Sequence, residues 1–293
     1  RGFAKAYSWV GGKAVDVVMV NSSWTGGHIK ELWGSYRKDE NKDIEIVYPP
    51  VAVSELIRRI EVTPESESSR EPVLLYIAQF RPEKNHTLIM QAYAHMLKNP
   101  STSSETVKSS RLVLIGSVRD DGDAKRVYQL RLLANELGIR DRVQFVLDAP
   151  WETVLSWLGK ASVGVNGMWN EHFGIGVVEY QAAGLISVVN DSGGPKGDIV
   201  VEVEGGLTGK FLSCFYFVCF VCFRGLGEIV ADSPGFHATT VEEYAVAFEK
   251  ALTLPEPYEV RRRARVSALR FTEEEFARKW IVQMEKLVAM TRR

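Results

Sequence analysis

The sequence predicts an α/β protein built on a doubly wound parallel sheet. Short, continuous apolar segments alternate with longer segments in which apolar residues recur every three or four positions. The first pattern is typical of strands that are buried on both faces, and the second of amphipathic helices that cover them. Polar loops follow the apolar segments, as expected at the carboxyl ends of parallel strands, so these loops should meet at one edge of the sheet.

The composition is that of a globular protein. The chain has 293 residues, of which 45% are hydrophobic, and its formal net charge is −1. This length allows one large domain or two smaller ones, and the near-neutral charge argues against a dedicated nucleic-acid-binding protein. We find neither an initiator methionine nor a signal peptide, so we expect a fragment or a processed product.

The first 50 residues predict a small βαβ segment. Residues 15–20 and 44–48 have the apolar pattern of strands, and residues 25–34 have that of a short helix. Pro49-Pro50 ends the second strand, because proline cannot donate to a strand ladder. The stretch 51–71, whose second half is charged and serine-rich, is interpreted as a linker.

A longer series of strands and helices occupies residues 72–272. Strands are predicted at 73–78, 111–116, 143–146, 161–165 and 185–189, and helices at 86–98, 123–137, 151–160, 173–183, 240–252 and 259–269. A capping box that begins at Thr272 starts a last helix. We expect the serine-rich stretch 100–110 to be an exposed insertion. Asp121 and Asp123 are interpreted as a helix cap rather than as metal ligands.

One apolar segment does not fit this pattern. It is rich in phenylalanine and contains all three cysteines, Cys214, Cys219 and Cys222. It is too short to cross a bilayer, which takes about 20 apolar residues as a helix. It could be a buried strand pair, a membrane-contacting loop or non-native sequence, and we favour the last for 211–235. The odd cysteine count without metal-ligand partners indicates a reducing compartment.

The most informative motif joins a predicted strand to the helix that follows it. Two glutamates, Glu171 and Glu179, flank an apolar stretch that contains two glycines. Glu171 is expected in the loop, and the amides of Gly174 and Ile175 at the positive end of the helix, where unpaired N–H groups attract anions. The motif therefore suits a ligand that carries both hydroxyls and phosphates, such as a nucleotide-sugar.

Arg81 and Lys84 lie three residues apart in the loop after another predicted strand, at the same edge of the sheet as Glu171. They could bind one diphosphate together, although such a loop can equally be solvated surface. A pair of carboxylates also occurs in glycosidases, but helix-end amides favour a leaving phosphate over a water nucleophile. His172 is interpreted as a wall residue, and the stretch 192–194 as a turn.

Several stretches of the chain resemble a known enzyme family. Arg81, Lys84 and residues 171–179 are similar to the donor-binding half of the retaining GT-B glycosyltransferases of family 4. The similarity is more specific in four other stretches, at residues 21–25, 47–50, 168–179 and 190–201. These stretches resemble the eukaryotic GDP-mannose-dependent α-1,2-mannosyltransferases of the dolichol pathway. The resemblance extends to residue 210 and resumes near 239.

The resemblance implies a GT-B architecture. Residues 1–50 would be a remnant of the N-terminal, acceptor-binding Rossmann-like domain, and 72–272 the C-terminal, donor-binding Rossmann-like domain with 211–235 as an insertion. Residues 273–293 would form the helix that returns towards the N-terminal domain. Most of that N-terminal domain, with its glycine-rich loop and membrane anchor, has no counterpart in the sequence. We therefore expect the chain to be N-terminally truncated and catalytically incomplete.

The resemblance also implies a reaction and its partners. Mannose would pass from GDP-mannose to a dolichol-pyrophosphate-linked oligosaccharide, which is the acceptor in N-glycan precursor assembly, with retention of configuration. The reaction would take place at the cytosolic face of the endoplasmic reticulum membrane, to which the missing N-terminal region would attach the protein. No metal, other cofactor or nucleic acid is expected.

The site residues follow from the same resemblance. Arg81 and Lys84 would neutralise the leaving diphosphate, Glu171 would contact mannose hydroxyls, and Glu179 would hold the ribose. The amides of Gly174 and Ile175 would hold phosphate or sugar. Phe173 and Gly116 would also contact the donor. Two alternatives stay open at this point, a relative with a UDP-sugar donor and a non-catalytic module that binds nucleotide-sugars or assembles a glycosylation complex.

Overall fold

The computed structural model describes residues 2–37, 43–100, 104–201 and 235–291. The chain begins with helix α1 (Gly2–Ala14), strand β1 (Val18–Val20), helix α2 (Ser23–Trp33) and strand β2 (Ile44–Ile46). β1 and β2 pair in parallel, as the predicted βαβ segment requires. The Ser22 side chain caps α2 by accepting a hydrogen bond from the Thr25 amide. Helix α1 is not anticipated by the sequence pattern.

Six strands of the described residues form one parallel sheet. They are β3 (Glu71–Ile77), β4 (Arg111–Gly116), β5 (Val143–Leu147), β6 (Ala161–Asn166), β7 (Ile186–Asn190) and β8 (Gly235–Ala238). Their order across the sheet is β5-β4-β3-β6-β7-β8, so the winding direction reverses between β3 and β6. Open α/β sheets bind ligands beyond the carboxyl ends of the strands at such a reversal.

Helices cover both faces of this sheet. They are α3 (Val53–Arg59), α4 (His86–Lys98), α5 (Glu105–Ser109), α6 (Asp121–Glu136), α7 (Trp151–Lys160), α8 (Ile175–Ala182), α9 (Val241–Leu252), α10 (Pro257–Ala268) and α11 (Glu273–Thr291). Leu74 and Tyr76 of β3 pack with α4 and α9, whereas Val73 and Leu75 pack with α3, α7 and α8. Successive strand residues face opposite sides, so the sheet has two apolar cores, and the predicted doubly wound fold is confirmed.

The stretch 51–71, which the sequence predicts to be a linker, packs against the rest of the described fold. Val53 and Leu56 of α3 are buried in one of the two cores. Further along, Glu67 accepts a hydrogen bond of 2.8 Å from the buried guanidinium of Arg261 in α10. The charged, serine-rich composition of this stretch is typical of exposed residues. The contact of Glu67 could not be predicted from it, because its partner Arg261 lies 194 positions away in the sequence.

Two smaller expectations are refined by the structure, and one short strand was not predicted. The stretch 100–110 contains α5, which is exposed as expected except for Val107, and Val107 is buried in the core cluster that includes residues of α4 and α9. Asp120, rather than Asp121 or Asp123, caps α6, and it accepts a hydrogen bond from the Asp123 amide. The four-residue strand β8 has too short a pattern to be recognised. The insertion expected at 211–235 lies outside the described residues, except for Gly235.

Helix α11 lies against the N-terminal segment of the chain. Lys279 stands 5.1 Å from the ring centre of Tyr48, and Lys286 lies 3.5 Å from Glu45. These contacts connect the last helix to β2 and to the residues just after it, while the division into domains stays a prediction. In the described ranges, we find no helix that has both the length and the apolar character to cross a bilayer.

We expect two glycines, one in β6 and one in α7, to respond oppositely to alanine. In Gly164→Ala the new methyl group would overlap the ring of Tyr180 and lower the free energy of unfolding by about 1–3 kcal/mol. In Gly159→Ala, within α7, no atom lies within 4 Å of the new methyl group, so stability should rise by about 0.5–1 kcal/mol. Urea unfolding measures both changes. Equal effects of the two substitutions would contradict the packing of α8 on β6.

Candidate functional site

A cavity of about 730 Å³ opens at the carboxyl edge of the sheet, where the winding reverses. Its floor includes Ile77 and Asn166, the last residues of β3 and β6. The loops after β3, β4, β5 and β6 form its walls, together with Asn21 and Pro49 from the N-terminal segment. The polar side chains that line it are Asn21, Gln79, Lys84, Ser117, Asp148, Asn166, Glu171, His172, Glu179 and Tyr180.

An ion pair joins two of these loops across the cavity. The Lys84 ammonium donates a 2.5 Å hydrogen bond to the Glu171 carboxylate, and both side chains are about one-fifth exposed. The Met168 sulfur also accepts from Lys84 at 3.1 Å. The buried Tyr76 hydroxyl donates to the Lys84 carbonyl and so fixes the backbone of this loop. The pair therefore stands on a rigid base, and a desolvated ammonium group of this kind is suited to an anionic ligand.

The loop of Glu171 is held from behind by the turn after β7. The Asn170 amide donates to the Ser192 hydroxyl at 2.7 Å, and the Gly194 amide donates to the Glu171 carbonyl at 2.8 Å. Gly193 has a positive φ of 65°, and any side chain there would overlap the Glu171 carbonyl. The stretch 192–194 thus supports the backbone of Glu171. The sequence predicts a turn there but not this contact.

The positive end of α8 faces the cavity. Gly174 caps the helix with φ 107°, so α8 begins at Ile175, two residues later than the sequence predicts. Gly174, Ile175 and Gly176 all line the cavity. The first unpaired amides of the helix, and its partial positive charge, therefore face the same cavity that Lys84 lines. A phosphate group is the chemical species that such an end accommodates best.

Glu179 lines the cavity one turn further along α8. Its carboxyl group is half-buried, and burial raises its pKa from the ordinary 4.5 to about 7. The shift is caused by desolvation, because the charged form loses its hydration without gaining a compensating cation. A carboxyl group in a cleft whose pKa is raised in this way is a candidate functional group.

The end of β4 and the residues after β5 line another part of the cavity with both backbone and apolar side chains. At Gly116 a side chain would overlap the Ala78 carbonyl, so the backbones at the ends of β3 and β4 lie close together there. Asp148 has a positive φ of 48° and its carboxylate accepts from the Val118 amide at 2.9 Å. Sequence reasoning missed Asp148, Asn166 and Asn21, because isolated polar residues at or just after the ends of strands carry no spacing signal.

Two of the predicted site residues have other surroundings. The Arg81 guanidinium lies 3.7 Å from Glu83, and Arg81 is not among the residues that line the cavity. Phe173 lines the cavity but is only 3% exposed, and its ring packs against Tyr48 and Phe271. The cavity therefore brings together all the predicted residues except Arg81. Within the described part of the chain, no group of His, Cys, Asp or Glu side chains could hold a metal ion.

The pKa of Glu179 predicts a pH-dependent stability. Because the folded-state pKa of about 7 exceeds the ordinary 4.5, ionisation of Glu179 costs stability as the pH rises through this interval. We expect Glu179→Gln to raise the melting temperature relative to wild type at about pH 8 and to leave it nearly unchanged at about pH 4.5.

Thermal melts at both pH values measure this difference. Glu152→Gln is the matched control, since the Arg59 hydrogen bond lowers the pKa of Glu152 and its substitution should cost stability at the higher pH. A melting temperature of Glu179→Gln that is below wild type at the higher pH would contradict the assignment of Glu179 as a half-buried carboxyl group without a compensating cation.

Comparisons with known proteins agree with this geometry. A GDP-Man:Man(3)GlcNAc(2)-PP-Dol alpha-1,2-mannosyltransferase from Neurospora crassa is 60% identical over 98% of this chain and 48% of its own length. The human protein of the same name is 38% identical over 97% of this chain and 51% of its own length. The chain thus spans about half the length of the curated relatives that it matches.

Solved structures confirm the fold. A glycosyltransferase from Rickettsia africae ESF-5 superposes with a TM-score of 0.67 at 17% identity, covering 98% of this chain and 67% of that one. Anabaena Alr3699/HepE in complex with UDP and glucose gives a TM-score of 0.64 at 15% identity, covering 92% and 63%. The expected GT-B glycosyltransferase architecture is therefore confirmed. The family model "Glycosyl transferases group 1" matches residues 58–210, more than half of the chain, and the protein belongs to this family.

Proposed function

We propose that the chain is the donor-binding portion of a retaining α-1,2-mannosyltransferase that takes mannose from GDP-mannose. The observation that carries the proposal is the convergence of three features in one cavity: the Lys84–Glu171 ion pair, the positive end of α8 and the Glu179 carboxyl group. Each suits a different part of a nucleotide-sugar. The name of the relatives from Neurospora crassa and human supports mannose as the sugar and dolichol-pyrophosphate oligosaccharide as the acceptor.

The diphosphate would lie between Lys84 and the first amides of α8. These groups supply a full and a partial positive charge at the place where a leaving diphosphate gains negative charge. Arg81 lies in the same loop as Lys84, 3.7 Å from Glu83. We propose that it turns from Glu83 to the diphosphate and adds a second cation. No metal is part of the proposal, because these groups provide the positive charge.

Donor binding would change the partner of Glu171. Lys84 hydrogen-bonds Glu171 at 2.5 Å in the structure. A diphosphate competes for the same ammonium group, and its two phosphates carry more charge than one carboxylate. The Glu171 carboxylate would then accept hydrogen bonds from mannose hydroxyls, which lie next to the diphosphate in the donor. The backbone bonds to the turn at 192–194 would keep Glu171 in place during this exchange.

Glu179 would hold the ribose. It follows Ile175 by four residues in α8, which is about 6 Å along the helix axis and matches the separation between a diphosphate and the ribose attached to it. Two ribose hydroxyls would donate to the carboxylate and stabilise its charged form, which burial alone disfavours. The base would lie beyond the ribose, against the closely approaching backbone at Gly116.

The wider setting follows from the relatives. We propose that the acceptor is the dolichol-pyrophosphate-linked oligosaccharide of N-glycan precursor assembly and that the reaction takes place at the cytosolic face of the endoplasmic reticulum membrane. The curated names of the relatives support the acceptor, and the assembly of dolichol-linked oligosaccharides is an endoplasmic reticulum process. Nucleic acid is not a proposed partner, in keeping with the net charge of −1.

A UDP-sugar is the second candidate donor. The Anabaena structure with a similar fold contains UDP and glucose. The base end of the cavity is lined by Ile115, Ala149 and Val154 and by backbone at Gly116, and apolar contacts of this kind do not by themselves select a purine. The choice between guanine and uracil therefore needs a direct measurement.

We expect GDP to bind more tightly than UDP or ADP. A preference of tenfold or more would correspond to about 1.4 kcal/mol. Calorimetric titration of the chain with the three nucleotides measures it, with GDP-mannose against UDP-glucose as the second pair. Tightest binding of the uridine nucleotides would replace the mannose assignment with the second candidate. Binding of none of the nucleotides would contradict the donor site as a whole.

Lys84 should contribute more to nucleotide affinity than any cation outside the cavity. Lys84→Met keeps most of the aliphatic stem but removes the ammonium group. A lost charge-assisted hydrogen bond is worth about 1.5–3 kcal/mol, so GDP affinity should fall by roughly 10- to 150-fold. Lys160→Met, at the end of α7 and outside the cavity, is the control and should keep wild-type affinity. Equal affinities of the two variants would remove Lys84 from the diphosphate site.

A further inference from the structure

The turn after β7 reaches from the donor site to the N-terminal segment. Residues Pro195–Ile199 form one turn of π-helix, a rare geometry that is often found at functional sites. On one side, a methyl group placed on Gly174 would lie 3.1 Å from the Pro195 ring, so this turn packs on the start of α8. On the other side, a methyl group placed on Gly197 would lie 2.9 Å from the Ser23 hydroxyl. The turn therefore fills the space between α8 and α2.

Asp198 is the polar centre of this contact. Its side chain is 3% exposed. One carboxylate oxygen accepts from the Ser23 amide at 3.0 Å, and the other accepts from the Tyr48 hydroxyl at 2.9 Å. Ser23 is the first residue of α2, whereas Tyr48 follows β2. One buried carboxylate thus binds two separate parts of the N-terminal segment, and we name these three residues the Asp198 bridge.

The Asp198 bridge lies directly behind the cavity wall. Asn21 and Pro49 are the cavity-lining residues that the N-terminal segment contributes. Asn21 lies two residues before Ser23, and Pro49 lies one residue after Tyr48. A residue that fixes Ser23 and Tyr48 therefore fixes both parts of this wall. Asp198 itself does not line the cavity.

We propose that Asp198 is a positioning residue that holds Asn21 and Pro49 against the donor cavity and so shapes its sugar-binding end. A second contact crosses the same boundary: the Trp24 ring stacks on His172 with ring centres 4.9 Å apart. His172 follows Glu171, so this wall faces the end of the cavity where the mannose would lie. The inference of a sugar-binding end rests on the proposed function, whereas the bridge itself rests on the contacts alone.

The chemistry of the bridge favours a fixed geometry over general packing. A buried carboxylate is costly unless hydrogen bonds and opposite charge compensate it. The bridge supplies two hydrogen bonds and the positive end of α2, and the Arg270 guanidinium is attracted to Asp198 as well. An apolar residue would fill the space without fixing the direction of either partner. The carboxylate therefore orients α2 and the residues after β2 relative to the turn.

Amide exchange at Ser23 tests the bridge without any ligand. Asp198→Ala removes both acceptor oxygens, and Tyr48→Phe removes one donor but keeps the ring. In Asp198→Ala the Ser23 amide should exchange faster, by roughly tenfold for each 1.4 kcal/mol of lost protection, whereas amides of β3 and β6 keep their rates. In Tyr48→Phe the acceptor of this amide stays in place but loses its second hydrogen bond, so a smaller increase is expected. Asp198→Asn keeps an acceptor for this amide and should restore slow exchange. Unchanged exchange at Ser23 in Asp198→Ala would overturn the proposal.

Tyr93→Phe is the matched control for the tyrosine substitution. The Tyr93 hydroxyl is also buried and donates to the Ser110 carbonyl at 2.7 Å, but it lies away from the N-terminal segment. The Tyr93→Phe variant should lose a similar hydrogen bond, while the Ser23 amide exchanges at the wild-type rate. Faster exchange at Ser23 in this control would show a general loss of stability and would overturn the assignment to the bridge.

The ratio of two affinities tests the positioning role. GDP would contact the donor side of the cavity, whereas GDP-mannose also reaches the wall at Asn21 and Pro49. Asp198→Ala should therefore weaken GDP-mannose binding by roughly tenfold more than GDP binding, and Asp198→Asn should restore the wild-type ratio. Equal losses for the two ligands would overturn the positioning role. If wild type binds neither ligand, the proposed function fails, while the exchange rates still decide whether the bridge exists.

Discussion

The ion pair between Lys84 and Glu171 is the interaction on which the candidate site depends. It joins the loop after β3 to the loop after β6, at the point where the order of the sheet reverses. Neither charge is fully hydrated, so each needs the other in the absence of a ligand. The Tyr76 hydroxyl fixes the first loop, and the turn at 192–194 fixes the second. The fold thereby holds a cation and an anion ready for a ligand that carries both phosphates and hydroxyls.

Much of this arrangement could be predicted from the sequence, because it depends on local patterns. Helix α4 follows its apolar periodicity from His86 to Lys98, and the strands follow continuous apolar runs. Parallel strands end at one edge of a sheet, so residues after β3 and after β6 had to meet there. The structure accordingly places Lys84, Glu171 and Glu179 in one cavity. Residues 171–179 predicted this grouping, because they place a loop glutamate, a glycine at the helix start and a helical glutamate one after another in the sequence.

The rest depends on contacts between residues that are distant in the sequence. Glu67 lies in a charged, serine-rich stretch, and its partner Arg261 is 194 positions away. Asp198 lies in a stretch that the sequence singles out only by family resemblance, and its contact with Ser23 spans 175 positions. The side chain of Arg81 lies near Glu83 rather than in the cavity, and no pattern in its loop sets that rotamer. The raised pKa of Glu179 results from burial by the surrounding loops, which the sequence of α8 alone does not specify.

A crystal structure of the chain with GDP-mannose tests the central claim most directly. The account predicts the diphosphate between the Lys84 ammonium and the first amides of α8, the ribose hydroxyls on Glu179, and the mannose on a Glu171 carboxylate that no longer binds Lys84. The same density should show Asn21 and Pro49 beside the sugar. A nucleotide bound elsewhere on the molecule, with the ion pair between Lys84 and Glu171 intact, would contradict the account.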